Sequence, residues 1–465
     1  MRVRFIGFIQ QNIRLKNWNS REYQDGRKLV VISGSALRRT LSSTITPAPT
    51  RTQEQRWLRI LTVSFVMYTI SYIDRTNVSM ALPQMSAQLH MDPQQAGDAV
   101  GIFFWGYLFL QMPAGHLAQH WSAKRVVAIL LVAWGICSVA TGLVSTAREF
   151  WIMRLALGLT EGGVWPAVLV LVAHWFPRPE RARANAYWML CLPISVVISS
   201  PFSGWLLKYW NWRVLLIVEG GLPFLWLLIW LATIDDYPKD ANWISPGERD
   251  YLEATLAQEA SEAKNTERSG YLATLFSPQV MVLIVIYFMR NFGSYGSLFW
   301  LPSALEKARK LSELTLGNIV SIPYILAAIM MVVTAKSSDR SGERRAHMSV
   351  TFIVSGGAFL LALAVQQRPL LCFSLLSIAV GAVYASLGPF WAVPTETLPQ
   401  KSVATAMGLI NAIGNLGGYF GPVVIGYFLK RSGGFVYGFG SLGAGLLLAA
   451  VLCFCLRPAE RRAAT

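Results

Sequence analysis

Twelve apolar runs of roughly twenty residues divide most of this chain, and no other feature narrows its fold so far. A helix of about that length crosses a hydrocarbon core of about 30 Å. Inside one, only helices and closed barrels satisfy every backbone N–H and C=O. The runs lie near 57–82, 97–119, 126–145, 150–175, 184–206 and 214–232, then near 279–304, 315–335, 348–366, 369–394, 402–429 and 435–456. A polar stretch from about 233 to 277 parts the two sets of six. Repetition between the halves is faint, so the reading rests on count and spacing, which are those of a duplicated fold. The expectation is an all-α membrane protein, with twelve transmembrane helices in two pseudo-symmetric six-helix bundles. Its parts are a basic tail (1–56), a bundle (57–232), a linker (233–277), a second bundle (278–457) and a short tail (458–465).

Composition agrees. Of the 465 residues 14% are charged, against about 25% in soluble domains. The five cysteines all fall in apolar stretches without metal-ligand spacing, where small buried side chains are the plain reading. No signal peptide is expected, because the first long apolar run begins near residue 57. Residues 1–56 are basic and rich in Ser and Thr, and are expected to be disordered.

Lysine and arginine set the orientation. Twenty-nine fall at the termini and in loops on the amino-terminal side, and nine in the opposite loops. Both termini are therefore expected in the cytoplasm. The net charge of +16 follows from this bias rather than from nucleic-acid binding. Three of the 41 basic residues remain inside spans: Arg75, Arg154 and Arg290. An intramembrane arginine costs about 2.5–3.5 kcal/mol on insertion scales and faces a bundle interior or a wet cavity. Three together point to a cavity that attracts an anion. A structural ion pair or a helix-end snorkel stays open for each, most of all for Arg290.

Acids accompany two of these arginines. Asp74 directly precedes Arg75, and Glu161 follows Arg154 by seven residues. Seven residues are close to two helical turns, so those side chains point the same way, about 10.5 Å apart along the axis. Burial opposes a carboxylate's charge and a nearby arginine favours it; a group balanced between the two can load and release a proton. Tyr107 and Gln111, and Asn411 and Asn415, are i,i+4 pairs that could hydrogen-bond a hydroxylated acid or simply join helices. Glu219 and Glu396 read as packing or end residues. No P-loop, dinucleotide fingerprint or zinc cluster occurs. His116 and His120 share a helix face but lack a third ligand, so neither enzyme chemistry, a metal nor a cofactor is expected.

Several segments together resemble the anion:cation symporter family of the major facilitator superfamily. They are Tyr-Ile-Asp-Arg-Thr-Asn (72–77), Gly-Ile-Phe-Phe-Trp-Gly-Tyr (101–107) and Arg-Leu-Ala-Leu-Gly-Leu-Thr-Glu-Gly-Gly (154–163), followed by Gly-Ser-Tyr-Gly-Ser-Leu-Phe-Trp-Leu-Pro (293–302), Ser-Asp-Arg-Ser-Gly-Glu-Arg-Arg (338–345) and Phe-Trp-Ala-Val-Pro-Thr (390–395). The resemblance runs from about 57 to 457 and is strongest to bacterial members carrying tartrate, phthalate and sugar acids. It implies proton-driven alternating access by a monomer in the bacterial inner membrane, importing a small organic acid anion. It also implies residue roles: Asp74 and Glu161 carry protons, Arg75 and Arg154 couple and bind substrate, and Tyr107 contacts it. Asn411 and Asn415 lie in the polar segment of the eleventh span, and Asp339 and Arg340 are gating residues, Asp339 being the aspartate of the second-half latch. Two departures stand out. The gating aspartate of the first half is replaced by Gln119, and Arg290 stands where relatives are apolar, as though for a second anionic group. A proton-coupled exporter of the same fold and a non-transporting nutrient sensor are the alternatives. The fifth span speaks against the first, since it reads Leu192-Pro-Ile-Ser where exporters carry a Gly-Pro-Gly-Gly pattern.

Overall fold

A computed structural model describes residues 55–264, 275–309, 311–399 and 402–456. The expectations for 1–54, for part of the linker (265–274) and for the carboxy-terminal tail fall outside these residues. Twelve membrane helices are present among them: α1 (57–88), α2 (93–117), α3 (Ala123–Thr141), α4 (Ala147–Trp175), α5 (Arg183–Tyr209), α6 (Trp212–Thr233), α7 (Pro278–Arg309), α8 (Glu313–Ser341), α9 (Arg344–Ala364), α10 (Pro369–Thr397), α11 (Thr405–Ser432) and α12 (Val436–Cys453). Ten helical runs are long and apolar enough to cross a bilayer unaided, and one of them, Pro93–Thr141, is two spans. There Ser122 leaves helical geometry (φ −169°, ψ 120°) and caps α3 through its hydroxyl, which accepts from the Arg125 N–H at 3.0 Å. The twelfth span is α1, less apolar because Arg59, Asp74 and Arg75 lie in it.

Side chains mark the helix starts. Asp92 accepts from the Gln94 and Gln95 N–H groups at 2.8 and 3.0 Å, and Gln95 returns a bond to the Asp92 N–H, a reciprocal cap at the head of α2. Thr146 and Glu149 repeat the arrangement on α4. At the other ends, Gly342 (φ +70°) closes α8 and Gly433 (φ +69°) closes α11 in the left-handed region that side chains avoid. Between Thr76 and Val78, α1 breaks at Asn77, a feature the sequence reading did not anticipate.

Glycine decides how closely α2 and α4 cross. A Cβ on Gly158 would run into the Phe103 carbonyl oxygen, one on Gly162 into that of Tyr107, and one on Gly106 into that of Leu155. Small residues let membrane helices meet backbone to backbone. Here the contact sets Phe103 and Tyr107 of α2 against Arg154 and Glu161 of α4.

The two halves meet most closely on the face opposite the chain's amino-terminal end. There a Cβ on Gly97 of α2 would stand 2.6 Å from the Pro422 carbonyl oxygen of α11, and one on Gly204 of α5 would stand 2.5 Å from the Glu313 oxygen of α8. Asp92 and Lys430 add an ion pair of 3.0 Å between the halves. The Gln95 N–H holds the Asp92 carboxyl below its usual range, with help from Lys430. Both side chains are solvent-exposed enough that the pair adds about 0–1 kcal/mol.

On the amino-terminal face, ion pairs stay within each half. Arg56 lies outside the first bundle in the sequence reading, yet it is buried. It donates to the Trp175 carbonyl at 2.7 Å and to Glu180 at 3.0 Å, and pairs with Glu248 of the linker helix Pro246–Lys264 at 3.5 Å. The fold therefore starts before 57. Gln119 is exposed. Nearby, Asp236, beyond α6, accepts from Ser122 at 2.5 Å and from the Lys124 N–H at 2.8 Å. In the second half Asp339 pairs with Arg344 at 2.6 Å, and Arg344 reaches Glu396 of α10 at 2.9 Å. Arg340 is exposed, and the cation gripping Asp339 is Arg344.

Buried charges between the two bundles

The intramembrane charges are buried: Asp74 is 1% exposed, Arg75 3%, Arg154 and Glu161 0%, and Arg290 5%. Their pairing is not the one that sequence proximity suggests. Asp74 turns away from Arg75 towards α3, where it accepts from the Trp134 indole N–H and from the Ser138 hydroxyl at 2.9 Å. Arg75 instead crosses to α4 and meets Glu161 at 3.2 Å. The reason is angular, since successive helix residues point about 100° apart. The same Glu161 oxygen accepts from Ser71 at 3.3 Å, while Oε1 has no hydrogen-bond partner among the described residues.

Arg154 shares a helix with Glu161 as the spacing implies, but forms no ion pair with it. All three guanidinium nitrogens lack a hydrogen-bond partner among the described residues. Its nearest support is the face of Phe103, 5.0 Å from the guanidinium carbon; Arg75 stands at the same distance from the same ring. Arg75 also lies over Tyr107 at 4.7 Å and Tyr72 at 5.5 Å, and donates to the Tyr295 hydroxyl of α7 at 3.3 Å. Cation–π contact in a dry site contributes about 2 kcal/mol, less than a desolvated guanidinium gives up. The Phe103 ring holds Arg154 in place without satisfying its donors.

Across the midline, Arg290 of α7 lies over Tyr384 of α10 at 5.2 Å and donates to Asn291 at 2.8 Å; its Nε and Nη2 are without partners among the described residues. Tyr384 hydrogen-bonds Tyr72 of α1 at 2.9 Å, so the surroundings of Arg75 and Arg290 are joined through two phenols. Asn411 and Asn415 behave as joints. Asn411 donates to Gln111 of α2 at 3.0 Å and accepts from Asn415 at 3.1 Å, while Asn291 donates to Asn415 at 3.2 Å. Sequence reasoning singled out the arginines and acids and missed Phe103, Trp134, Ser138, Tyr295 and Tyr384. None of these is unusual in an apolar helix, and no spacing rule links residues on different helices.

Twelve helices in two halves, meeting on one face and holding unpaired cations at the centre, define a membrane transport fold. The chain belongs to the Major Facilitator Superfamily, whose family model matches residues 64–418 and again 283–465. It is a multi-pass membrane transporter, not an enzyme. A candidate tartrate transporter of Agrobacterium vitis is 30% identical over 88% of this chain and 93% of its own length. The quinolone resistance transporter of Acinetobacter baumannii is 28% identical over 85% and 92%. Among solved structures, the E. coli xylose transporter in a partially occluded inward-open conformation superimposes with a TM-score of 0.67 at 15% identity, covering 88% of this chain and 99% of that one. That likeness is one of fold.

Proposed function

We propose that this chain imports a small organic acid anion, such as a sugar acid or a dicarboxylate, together with protons across a bacterial inner membrane. One observation carries the reading: Arg154, fully buried beside Arg75 and Phe103, has three guanidinium nitrogens and no hydrogen-bond acceptor among the described residues. A carboxylate is the planar, two-oxygen partner that this fork fits. The surplus of cation is also local, since three arginines share the centre with two acids, Asp74 and Glu161, of which Glu161 is ion-paired. The candidate tartrate transporter among the relatives supports the same substrate class.

Coupling follows from competition for Arg75. While Glu161 is ionised it occupies that arginine; once it takes a proton, Arg75 is free for a substrate carboxylate, so anion and proton favour each other's binding. Asp74 is a second proton carrier, held by the Trp134 and Ser138 donors when charged. In this scheme Tyr107 lines the anion site and Arg290 reads a second carboxylate, while Asn411 and Asn415 hold α11 to α2 and α7 beside it. The Lys/Arg-rich face is cytoplasmic, with both termini, and the close contacts of the opposite face seal the periplasmic side. Asp339 and Arg340, beside Arg344, belong to the cytoplasmic gate, and a monomer suffices. Export in the same fold is the second reading, favoured by the quinolone resistance relative.

Proteoliposomes with an imposed pH gradient and a panel of labelled sugar acids and diacids test the proposal. Uphill accumulation that collapses with the proton gradient is expected. Glu161→Gln should lose accumulation while keeping exchange of preloaded substrate, because the amide imitates the protonated acid. Full uphill uptake by Glu161→Gln sinks the coupling scheme, and net efflux of a cationic drug with no anion uptake turns the reading to export.

A further inference from the structure

A third carboxyl lies inside the first bundle, and the transport scheme above does not use it. Glu219 of α6 is 0% exposed. One of its oxygens accepts from Ser203 of α5 at 2.7 Å, and the other has no hydrogen-bond partner among the described residues. Among the described residues, no lysine, arginine or histidine faces it. From α1 the titratable neighbour is Asp74, close enough for like charges to repel, and the Asn77 amide of the same helix faces the carboxyl as well. An ionised Glu219 would be an unpaired charge in apolar surroundings, whereas a protonated one is a neutral hydrogen-bonding group.

Position gives that proton a use. Glu219 is the eighth residue of Trp212–Thr233, so it stands roughly 10 Å inside the end of α6 on the face opposite the amino-terminal end. Asp74 lies deeper, and Ser138 of α3 reaches both α1 and α6. Its hydroxyl donates to Asp74, and that same oxygen would lie 2.5 Å from a Cβ on Gly220, the residue beside Glu219. The missing side chain of Gly220 is what lets Ser138 press against α6. Asn77, where α1 breaks, is 2% exposed, and neither of its amide atoms has a hydrogen-bond partner among the described residues. Arg75 and Glu161 lie on the other side of α1, against α4.

We propose that Glu219 is a further proton-binding site, standing between Asp74 and the face opposite the amino-terminal end, and that it exchanges protons with Asp74 as the bundle moves. The step balances: the Glu219 acid gives its proton to the Asp74 carboxylate and becomes the carboxylate that the next proton reloads. A hard cation in its place would need about six oxygen ligands, and one carboxylate with one bonded hydroxyl does not supply them.

The role in transport rests on the proton-symport reading; the presence of the proton does not. Infrared difference spectra of the purified full chain near neutral pH, in wild type, Glu219→Gln and Glu219→Asp, read the C=O stretch of protonated carboxyls directly. One component should vanish in Glu219→Gln and persist, shifted, in Glu219→Asp, with both variants monodisperse in detergent. An unchanged band in Glu219→Gln overturns the site. In proteoliposomes with an internal pH dye, Glu219→Gln should move fewer protons per substrate while still exchanging substrate, with Glu219→Asp restoring the ratio; an unchanged ratio overturns the exchange with Asp74. If wild type moves no protons with substrate at all, the symport reading fails, and the infrared band alone decides the proton site.

Discussion

Arg154 shows what one residue's surroundings say about a ligand. Its charge is legible in the sequence, but its lack of any acceptor among the described residues is not, because that depends on what other helices place around it. If a substrate carboxylate fills the fork, Arg154→Lys keeps the charge and loses the parallel pair of bonds. Losing one charge-assisted bond, worth about 1.5–3 kcal/mol, weakens binding roughly ten- to hundredfold. Arg154→Ala should bind nothing measurable. Calorimetric titration of the purified variants checks both, and unchanged affinity in Arg154→Lys would overturn the bidentate model. Arg290 makes a sharper comparison. With Nε and Nη2 unengaged beside Tyr384, Arg290→Ala should weaken a diacid by a similar factor and leave the matching monoacid within about twofold, a difference of some 0.4 kcal/mol. Equal losses for both would remove Arg290 from the site.

At the level of helices, length and apolarity were enough to place every span. Each expected run matches an observed helix to within a few residues, because the bilayer sets both the length and the composition. What no run announces is its partner. Gly158, Gly162 and Gly106 sit in the sequence as ordinary small residues, and only the α2–α4 crossing shows that their missing side chains bring Phe103 and Tyr107 to Arg154 and Glu161. Gly158→Ala gains about 0.5–1 kcal/mol of intrinsic helix preference. Against that stands an overpacking cost of about 1–3 kcal/mol, and the atom in the way is backbone that cannot rotate aside. The variant should therefore melt several degrees lower in detergent and transport poorly. A melting temperature equal to or above wild type would show that the crossing has slack.

For the molecule as a whole, the question is where the folded unit begins. Removing residues 1–50 should leave transport and thermal stability unchanged, since Arg56, which fastens the head of α1 to Trp175 and Glu180, is kept. Arg56→Ala is expected to act differently. It breaks a buried cluster and removes the cation facing Glu248, a loss of about 3–5 kcal/mol for a severed buried pair. Fluorescence-detected size exclusion after graded heating separates the two cases. An Arg56→Ala protein as heat-resistant as wild type would mean that the linker helix is not fastened to the first bundle through this residue. In the second half, Asp339 and Arg340 stand out in the sequence, but the ion pairs that run from Asp339 through Arg344 to Glu396 join residues that no spacing rule connects.

By itself the sequence determined the membrane, the twelve spans, the two halves and the identity of the intramembrane charges. All of these follow from local quantities: the length of an apolar run, the cost of a charge in hydrocarbon, and the count of basic residues in loops. Tertiary structure alone decided who meets whom. Adjacent residues on a helix diverge by about 100°, so Asp74 and Arg75 serve different helices, and the acid bound to Arg75 is Glu161, from 86 residues away. The same holds for Glu219, which reads as a packing residue along the chain. It becomes an unpaired buried carboxyl only once α1, α3 and α5 close around it without a cation.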